Sequence, residues 1–278
     1  MKISIIITSW NTQTLLRACL HSIFQFPPKD KFEVIVVDNN SRDGSAEMVE
    51  IEFPDVRLIK NNENTGYAKG NNIGYTASTG SYILLLGSDT QILYNAVNKL
   101  SDFLDTHHHA GIVSGKLLLS NGLTQHSCKK FPTLANAAAL YCSLNFLNKA
   151  YLMADFNHNE IKEIDQPDAT CIMIRRTALT DYIFNEQYSI LYNDVELCKR
   201  IKTNGWKIYF LPDAEIVHHG SQSTKQANPQ LRLVMYKNII DYYSNTSGYY
   251  SRYILKPILI IRFLLVSRSF LGLKLLFY

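Results

Sequence analysis

The sequence predicts an α/β protein with a Rossmann-like, mostly parallel central sheet that is flanked by helices and followed by a C-terminal helical appendage. Continuous apolar runs occur at 3–8, 33–38, 56–61 and 82–87, and stretches with helical spacing separate them. Strands that are apolar on both faces and alternate with helices are typical of a parallel sheet covered on both sides. Ligands bind such sheets at the carboxyl ends of the strands, so the residues after each run are the first candidates for a site.

The segments between these runs have the spacing of helices, and the second half of the chain continues the pattern less regularly. The predicted helices are 13–24, 44–53 and 67–78. Further strands are predicted at 111–119 and 169–176, and a further helix at 229–245. A chain of 278 residues can bury a full core without disulfides or structural metals.

The net charge of +4 is distributed unevenly along the chain. Residues 242–278 contain five basic residues and no Asp or Glu, so the rest of the chain carries 23 basic and 24 acidic residues. The positive charge therefore belongs to the C-terminal segment, and we expect no nucleic-acid partner for the remainder.

The cysteines and the opening residues favour a reducing compartment. The five cysteines are scattered and none forms a C-x-x-C pair, so we expect neither a zinc site nor a disulfide framework. The opening stretch MKISIIITSW has a short, quickly interrupted apolar run, which we interpret as a first strand rather than a signal peptide.

Three strand ends carry polar side chains that suggest a site. Thr8, Asp38 and Asp89 end or follow apolar runs, within TSWN, DNNSRDGS and GSDT. Polar turn residues follow many strands for structural reasons alone. Three such ends in one α/β sheet favour a binding site over three unrelated turns.

Four segments together resemble the family 2 glycosyltransferases of the GT-A fold. They are VVDNNSRDGS, NNENTGYAKGNNIG, YILLLGSDT and YNDVELCKRIKTNGWKIYFLPDAEIVHHG, and the matching region spans roughly residues 3–245. The subgroup they resemble includes rhamnosyltransferases of cell-surface polysaccharides. The resemblance implies a nucleotide-diphosphate sugar donor, such as a UDP- or dTDP-sugar, and a divalent cation, Mn²⁺ or Mg²⁺, that holds the diphosphate.

The resemblance assigns the metal site to Asp89 and to one of two histidines. The family's acidic triplet is reduced here to Gly-Ser-Asp, so Asp89 needs ligands from elsewhere in the chain. His218 or His219 is the expected ligand, and the sequence does not distinguish between them. The alternative interpretation of this histidine pair is a surface turn ahead of Gly220. Oxygen ligands around a hard cation would suit a diphosphate.

The donor site is expected around Asp38 and the segment 64–72. The resemblance assigns Asp38 to the base or ribose, and the glycines of NTGYAKGNN allow close approach of the backbone. A loop that leads into a helix with an exposed lysine is the alternative interpretation of that segment. The predicted donor-contacting residues are Thr8, Asp38, Asn64, Gly66, Lys69, Asn72 and Ser88.

Asp194 is the predicted catalytic base. An inverting transferase needs a base for the acceptor hydroxyl, and such a base contributes roughly 10²–10⁴-fold. The structural alternative is a capping box, in which Asn193 caps the helix and Glu196 completes the motif, while Asp194 only favours the helix dipole. Both interpretations can hold together. If Asp194 is not the base, Glu196 and Asp168 are the next candidates.

The segment 251–278 is apolar but interrupted by a basic residue every four to six positions. A helix that spans a membrane requires about 20 consecutive apolar residues, and this spacing does not provide them. We expect helices that lie on a membrane surface, and therefore a cytoplasmic protein on the inner face of the plasma membrane. A helical pair packed on the rest of the protein, or an oligomer interface, is the alternative.

Taken together, the resemblance and the residues predict two parts of the chain. Residues 1–245 form the glycosyltransferase domain, with a nucleotide-sugar-binding half at 1–120 and an acceptor-side half at 121–245, and residues 246–278 form the tail. The predicted function is metal-dependent, inverting transfer of a sugar to a hydroxyl of a glycan or lipid-linked acceptor of the cell surface. The alternatives are a catalytically silent nucleotide-sugar-binding or scaffold protein and a nucleotidyltransferase, whose glycine-rich basic N-terminal loop is missing here.

Overall fold

The computed structural model describes residues 1–220, 229–267 and 270–278, which form eleven strands and eight α-helices within these ranges. The strands are β1 Ile3–Ser9, β2 Phe32–Asp38, β3 Arg57–Lys60, β4 Tyr82–Leu86, β5 Thr90–Ile92, β6 Ala110–Leu118, β7 Cys128–Lys129, β8 Lys162–Glu163, β9 Gln166–Pro167, β10 Cys171–Arg175 and β11 Lys207–His218. The α-helices are α1 Gln13–Gln25, α2 Ser45–Glu52, α3 Gly66–Ala77, α4 Ala96–Thr106, α5 Leu134–Tyr141, α6 Asn193–Thr203, α7 Pro229–Ser247 and α8 Ser251–Ser267. Short 3₁₀ helices lie at Asn145–Asn148, Arg176–Ala178 and Phe270–Phe277.

The central sheet has the order β3-β2-β1-β4-β10-β6-β11-β5, with β8 beside β11. The first four strands in this order are parallel, β10 is antiparallel to both of its neighbours, and β6 and β11 are parallel again. A separate two-stranded antiparallel sheet consists of β7 and β9. The prediction of a mostly parallel sheet flanked by helices, with a helical C-terminal region, is confirmed.

The two faces of the sheet are both covered, which explains the continuous apolar runs. Within β1, Ile5 packs into the core on the side of α1, α2 and α4, and the adjacent Ile6 packs into the core on the side of α3 and α6. Successive side chains of a strand point to opposite faces, so both must be apolar when both faces are buried.

The C-terminal helices share a third core with the rest of the protein. Leu255, Leu259 and Phe263 of α8 pack with α7, with α5 and with Val195 of α6. The tail is therefore packed on the domain on one side, as the helical-pair alternative anticipated. The apolar pattern alone did not reveal this core, and it runs across the predicted boundary at residue 245.

The described residues also show the state of the cysteines and whether any helix could cross a membrane. All five cysteines are free, and four of them are buried. Within residues 1–220, 229–267 and 270–278, no helix combines the length and the apolar character needed to cross a bilayer.

Candidate active site

The ends of β1, β2 and β4 meet at one edge of the sheet. Ser9 of β1 is paired with Asp38 of β2, and Ile6 of β1 is paired with Leu85 of β4 on the other side. The residues after these strands therefore lie side by side, although they are up to 80 positions apart in sequence. This edge contains the predicted donor and metal residues Thr8, Asp38, Ser88 and Asp89.

Thr8 and Asp38 each present an oxygen that is buried without a partner. Asp38 is 3% exposed, and its Oδ2 accepts a hydrogen bond from the backbone N–H of Ser41 at 2.9 Å. Its Oδ1, like Thr8 Oγ1 on the neighbouring strand, has no hydrogen-bond partner within the described part of the chain. Because a buried polar atom without a partner costs free energy, the two oxygens mark a position where a ligand can supply hydrogen bonds.

Asn39, which the sequence did not single out, organises the loop beside Asp38. Its Oδ1 accepts hydrogen bonds from Asn61 and Thr65, at 2.8 and 3.0 Å, and its amide nitrogen donates to the carbonyl of Gly66 at 3.1 Å. Asn64 is exposed, and its side-chain oxygen accepts from the N–H of Gly66. Gly66 has φ of +83°, a conformation that favours glycine, and begins α3.

The start of α3 lies against the end of β1. A Cβ atom on Gly70 would come within 2.6 Å of Thr8 Cγ2, so this glycine allows the helix and the strand end to approach closely. Lys69 is exposed. Asn72, in contrast, accepts from the N–H groups of residues 183 and 184 and donates to Phe184 O and Glu186 Oε1. Its amide group is therefore engaged in holding this loop, and its predicted contact with a donor stays a prediction.

The metal candidates Asp89 and His218 are brought together by strand pairing. Thr90 of β5 lies opposite His218 of β11, which sets Asp89 next to this histidine. His218 Nε2 lies 3.6 Å from Asp89 Oδ2, and the two residues are 4% and 9% exposed. Gln125 Oε1 lies 2.8 Å from His218 Nδ1. An Nδ1–H that donates to Gln125 leaves the Nε2 lone pair directed towards Asp89.

The side chain of His219 is directed towards Ser120. Its Nδ1 lies 3.0 Å from Ser120 Oγ, and its backbone N–H donates to the carbonyl of Asp89 at 2.9 Å. Ser88 belongs to a buried chain of hydroxyl groups, in which Thr12 lies 3.0 Å from both Ser9 and Ser88. The geometry thus pairs His218 with Asp89, and it uses His219 and Ser88 to hold the surrounding loops.

The Asp89–His218 pair fits a divalent cation that is shared with a ligand. Carboxylate oxygen and imidazole nitrogen both suit Mn²⁺, and Mg²⁺ is commonly held by one or two carboxylates together with substrate phosphates. Among the residues that the structure describes, no group of three or more His, Cys, Asp and Glu side chains converges on one point. The protein therefore offers two ligands, and a bound diphosphate and water would complete the coordination.

Asp194 lies at the first turn of α6. Tyr192 precedes the helix with φ of +67°, and no side chain caps the helix, so the predicted capping box of Asn193 and Glu196 is wrong. Asn193 is already the first helical residue, and Glu196 forms an ion pair with Arg200 at 3.0 Å instead. Asp194 Oδ1 accepts a hydrogen bond from the N–H of Val195 at 2.8 Å, which orients the carboxylate.

The surroundings of Asp194 hold its pKa above the ordinary value. Burial is the largest cause, and although the residue keeps some exposed area, protein atoms surround the carboxyl group. The cation of Lys129 lowers the pKa and the carboxylate of Asp168 raises it. A carboxyl group with a raised pKa is better suited to accept a proton at neutral pH.

Tyr67 connects the metal candidates with Asp194. Its hydroxyl donates to the carbonyl of Ala169 at 3.0 Å, and burial raises its pKa. The charges of Asp194 and Asp89 raise this pKa further, in that order of size. Both carboxylates are thus close enough to Tyr67 for their charges to act on its hydroxyl group.

The central sheet and its flanking helices have the fold of solved GT-A glycosyltransferases. Residues 4–131 match the sequence profile of Glycosyl transferase family 2. The chain is also 23% identical over 207 residues to the N-acetylglucosaminyl-diphospho-decaprenol L-rhamnosyltransferase of Mycobacterium tuberculosis, a match that covers 69% of this chain and 67% of the relative. The predicted resemblance to family 2 glycosyltransferases with rhamnosyltransferase-like relatives is therefore confirmed.

Two solved structures have the same fold. One is S. aureus TarS 1–349 in complex with UDP-GlcNAc, at 22% identity and a TM-score of 0.59, covering 96% of this chain and 74% of that one. The other is the mannosyltransferase PcManGT from Pyrobaculum calidifontis in complex with GDP-Man and Mn²⁺. It is 17% identical, with a TM-score of 0.59, and covers 99% of this chain and 78% of that one.

Proposed function

We propose that this protein transfers one sugar from a nucleotide-diphosphate donor to a hydroxyl acceptor, with inversion at the anomeric carbon. The observation that carries the proposal is that the ends of β1, β2 and β4 meet at one edge of the sheet, next to the Asp89–His218 pair. Unpartnered oxygens of Thr8 and Asp38 lie at this edge with the Asp89–His218 pair, and the charges of Asp89 and Asp194, whose own pKa is raised, both act on Tyr67. The Thr8 and Asp38 oxygens would suit a nucleoside, the Asp89–His218 pair would suit a metal-bound diphosphate, and the Asp194 carboxyl group would suit an acceptor hydroxyl.

The donor would bind across the strand ends. Asp38 Oδ1 would accept hydrogen bonds from N–H or hydroxyl groups of the base or ribose, and Thr8 Oγ1 would bind beside it. The exposed Lys69 lies on the helix that begins at this edge and offers a positive charge for the phosphates. Asn64, Gly66 and Ser88 shape the surrounding loops, and we do not assign Asn72 to the donor because its amide group is already engaged.

Asp89 and His218 would hold the divalent cation, Mn²⁺ or Mg²⁺, against the diphosphate. When bound, this cation would act as a Lewis acid that stabilises the charge of the departing nucleoside diphosphate. Gln125 would keep the histidine in the tautomer that directs Nε2 towards the site. The PcManGT complex contains Mn²⁺, which supports this use of the site by analogy of fold.

Asp194 would act on the acceptor. The hydrogen bond from Val195 fixes one of its oxygens, which leaves the other free to take the proton of the attacking hydroxyl. In a one-step inverting displacement, one base activates the attacking acceptor hydroxyl. The nucleoside diphosphate leaves from the opposite side of the anomeric carbon. Such a base contributes roughly 10²–10⁴-fold to the rate.

The acceptor would be a growing glycan or a lipid-linked precursor of the cell surface. This proposal is supported by the names of two relatives, an N-acetylglucosaminyl-diphospho-decaprenol L-rhamnosyltransferase and the poly(ribitol-phosphate) beta-N-acetylglucosaminyltransferase TarS. A lipid-linked acceptor would require the protein to reach a membrane from its cytoplasmic side.

The outer side of the tail supports contact with a membrane surface. Tyr253, Leu265, Phe270 and Phe277 are between 74% and 92% exposed, while the opposite side of the same helices is buried. Lys274 lies exposed among these side chains. Exposed apolar residues with interspersed cations are typical of segments that lie on anionic lipid surfaces. Arg268 lies outside the described residues.

A donor panel tests the proposed function. Purified protein is incubated with UDP-, dTDP- and GDP-sugars, with Mn²⁺, Mg²⁺ or EDTA, and with glycolipid extracts as acceptors, and nucleoside diphosphate release is measured. We expect release from one nucleotide class that requires metal and increases with acceptor. Tight donor binding without release under any of these conditions would favour the silent binding protein instead.

A further inference from the structure

The loop of residues 183–192, which leads directly into α6, is held by a side chain of α7. The whole loop is described and contains no helix or strand, so its backbone groups need partners from elsewhere. Asn238 of α7 is 4% exposed, and its Oδ1 accepts hydrogen bonds from the N–H groups of Ile190 and Leu191 at 3.1 and 3.3 Å. Its Nδ2 donates to the carbonyl of Gln187 at 3.1 Å. One buried amide group thus fixes three backbone groups of the loop.

The other end of the loop is held in the same way from α3. Asn72 Oδ1 accepts from the N–H groups of Ile183 and Phe184 at 3.1 and 3.0 Å, and its Nδ2 donates to Phe184 O at 2.8 Å. In between, the carbonyl of Ser189 accepts from the N–H of Ala68 at 3.3 Å, near the start of α3. The loop therefore runs from the helix that begins at the donor edge to a helix of the C-terminal region.

Tyr192, the last residue of the loop, has a backbone conformation that depends on its surroundings. Its φ is +67°, in the left-handed region that favours glycine. Its ring centroid lies 4.5 Å from that of Tyr242 and 5.5 Å from that of Tyr243, and both of these α7 residues are buried. Such a conformation persists only where neighbouring structure fixes it. The helix that carries Asn238 therefore also fixes the residue from which α6 begins.

The held loop determines where Asp194 lies. This residue comes two positions after Tyr192, in the first turn of α6, and Arg200 of the same helix donates to the carbonyl of Ile183 at 2.6 Å. The loop and the helix are thus connected at two points, so a shift of the loop would move the carboxylate. Hydrogen bonds to a loop can serve stability alone. These connect the start of the helix that carries Asp194 to the helix at the donor edge, and a displacement of about 1 Å can cost roughly 10²-fold in rate.

We propose that Asn238 is a positioning residue for sugar transfer: through its hydrogen bonds to the loop 183–192, it sets the place of the Asp194 carboxylate relative to the donor. This inference rests on the proposed function, in which Asp194 is the base. Asn238 acts through the loop and does not touch the substrates. The proposal gives α7 a role in the reaction that is separate from any contact of the tail with a membrane.

The test begins with two substitutions at Asn238 in the full-length protein. Asn238→Leu removes all three hydrogen bonds but keeps a side chain of similar size. Its kcat for nucleoside diphosphate release, with the active donor and acceptor of the panel, should fall about ten- to a hundredfold. Donor affinity with Mn²⁺, measured by calorimetry, should stay near wild type. Asn238→Asp keeps the accepting oxygen, so it should retain more of the rate than Asn238→Leu.

Hydrogen exchange and a matched core variant separate positioning from general stability. Mass spectrometry of peptides from the loop should show faster amide exchange in Asn238→Leu than in the wild type. Leu259→Ala removes a fully buried side chain of α8 from the third core, to which α7 also belongs. It should lower the melting temperature but leave loop exchange and kcat unchanged at temperatures where it is folded. Equal loss of kcat in Leu259→Ala would overturn the specific role of Asn238.

A double variant tests whether Asn238 acts through Asp194. If it does, Asn238→Leu should add little to the loss of kcat already caused by Asp194→Asn, whereas independent effects multiply. If Asn238→Leu does not fold, Asn238→Asp takes its place in the same comparison. Wild-type kcat in the Asn238 variants, or multiplied losses in the double variant, would overturn this inference while the base assignment stands. Full activity of a folded Asp194→Asn protein would overturn the base assignment itself.

Discussion

His218 Nε2 lies 3.6 Å from Asp89 Oδ2, whereas the side chain of His219 turns to Ser120. The two histidines are adjacent in sequence, but only the His218 ring is within 4 Å of the Asp89 carboxylate among the described ion pairs, whereas His219 Nδ1 lies beside Ser120 and its backbone N–H donates to the Asp89 carbonyl. The pairing of β5 with β11 produces this difference.

His218→Ala should therefore lose metal-dependent donor affinity, and His219→Ala should keep most of it. Removal of a protein ligand from a two-ligand site should weaken the Mn²⁺-dependent component by about tenfold or more, which is also the scale reported for supporting residues. Calorimetric titration of the donor with Mn²⁺ and with EDTA measures that component directly. Equal losses in the two variants would contradict the assignment of His218.

Thr8→Val should separate donor binding from stability. The hydroxyl of Thr8 is buried without a partner in the described chain, so its removal should leave the free energy of unfolding unchanged or increase it. If the donor supplies the missing hydrogen bond, its loss should cost about 0.5–1.5 kcal/mol of donor affinity. Thermal melting without ligand and donor titration give the two values. Wild-type donor affinity would remove Thr8 from the site.

The two sides of the tail should respond differently to substitution. Phe263 is fully buried in the third core, so Phe263→Ala should lower the free energy of unfolding by about 3–5 kcal/mol. Leu265 is 74% exposed on the same helix, so Leu265→Ser should barely change stability but should weaken binding to vesicles that contain anionic lipid. Unchanged vesicle binding in a folded Leu265→Ser protein would count against the membrane surface.

At neutral pH, Asp194→Asn should lower the free energy of unfolding by less than the loss of a favourable charge at the helix N-terminus would by itself. Because the folded-state pKa is raised above the value of about 3.9 in unfolded chains, ionisation of Asp194 opposes folding. This penalty is absent below pH 4, grows as the pH rises through the folded-state pKa and is constant above it. The melting temperature of Asp194→Asn relative to wild type should therefore increase with pH over that interval. A relative decrease would mean that the carboxylate is stabilised by the fold.

The sequence was sufficient to predict the candidate site residues that lie at the ends of individual strands. The runs that became β1, β2 and β4 are apolar because both faces of the sheet are covered, and the acids at their ends could be located from the pattern alone. The pairing of β7 with β9 could not be predicted, because each strand is two residues long and has no periodicity. The choice between His218 and His219 needed the pairing of β11 with β5, which lies more than 120 residues earlier.

The start of helix α6 and the packing of the tail could not be predicted from the sequence, for different physical reasons. The Asn193–Glu196 spacing fits a capping box, but Tyr192 adopts a left-handed conformation that begins the helix one residue early. In the tail, apolar residues on two sides of α8 serve two purposes, a shared core and an exposed surface. Composition cannot separate these purposes, since both require the same side chains.

The measurement that tests the central claim most directly is donor affinity and turnover of Asp194→Asn on one preparation. Donor affinity in the presence of metal should stay near wild type, because Asp194 faces the acceptor and not the nucleotide. Sugar transfer, followed as nucleoside diphosphate release with acceptor present, should fall by roughly 10²–10⁴-fold. A folded Asp194→Asn protein that binds donor and transfers sugar at the wild-type rate would contradict the account.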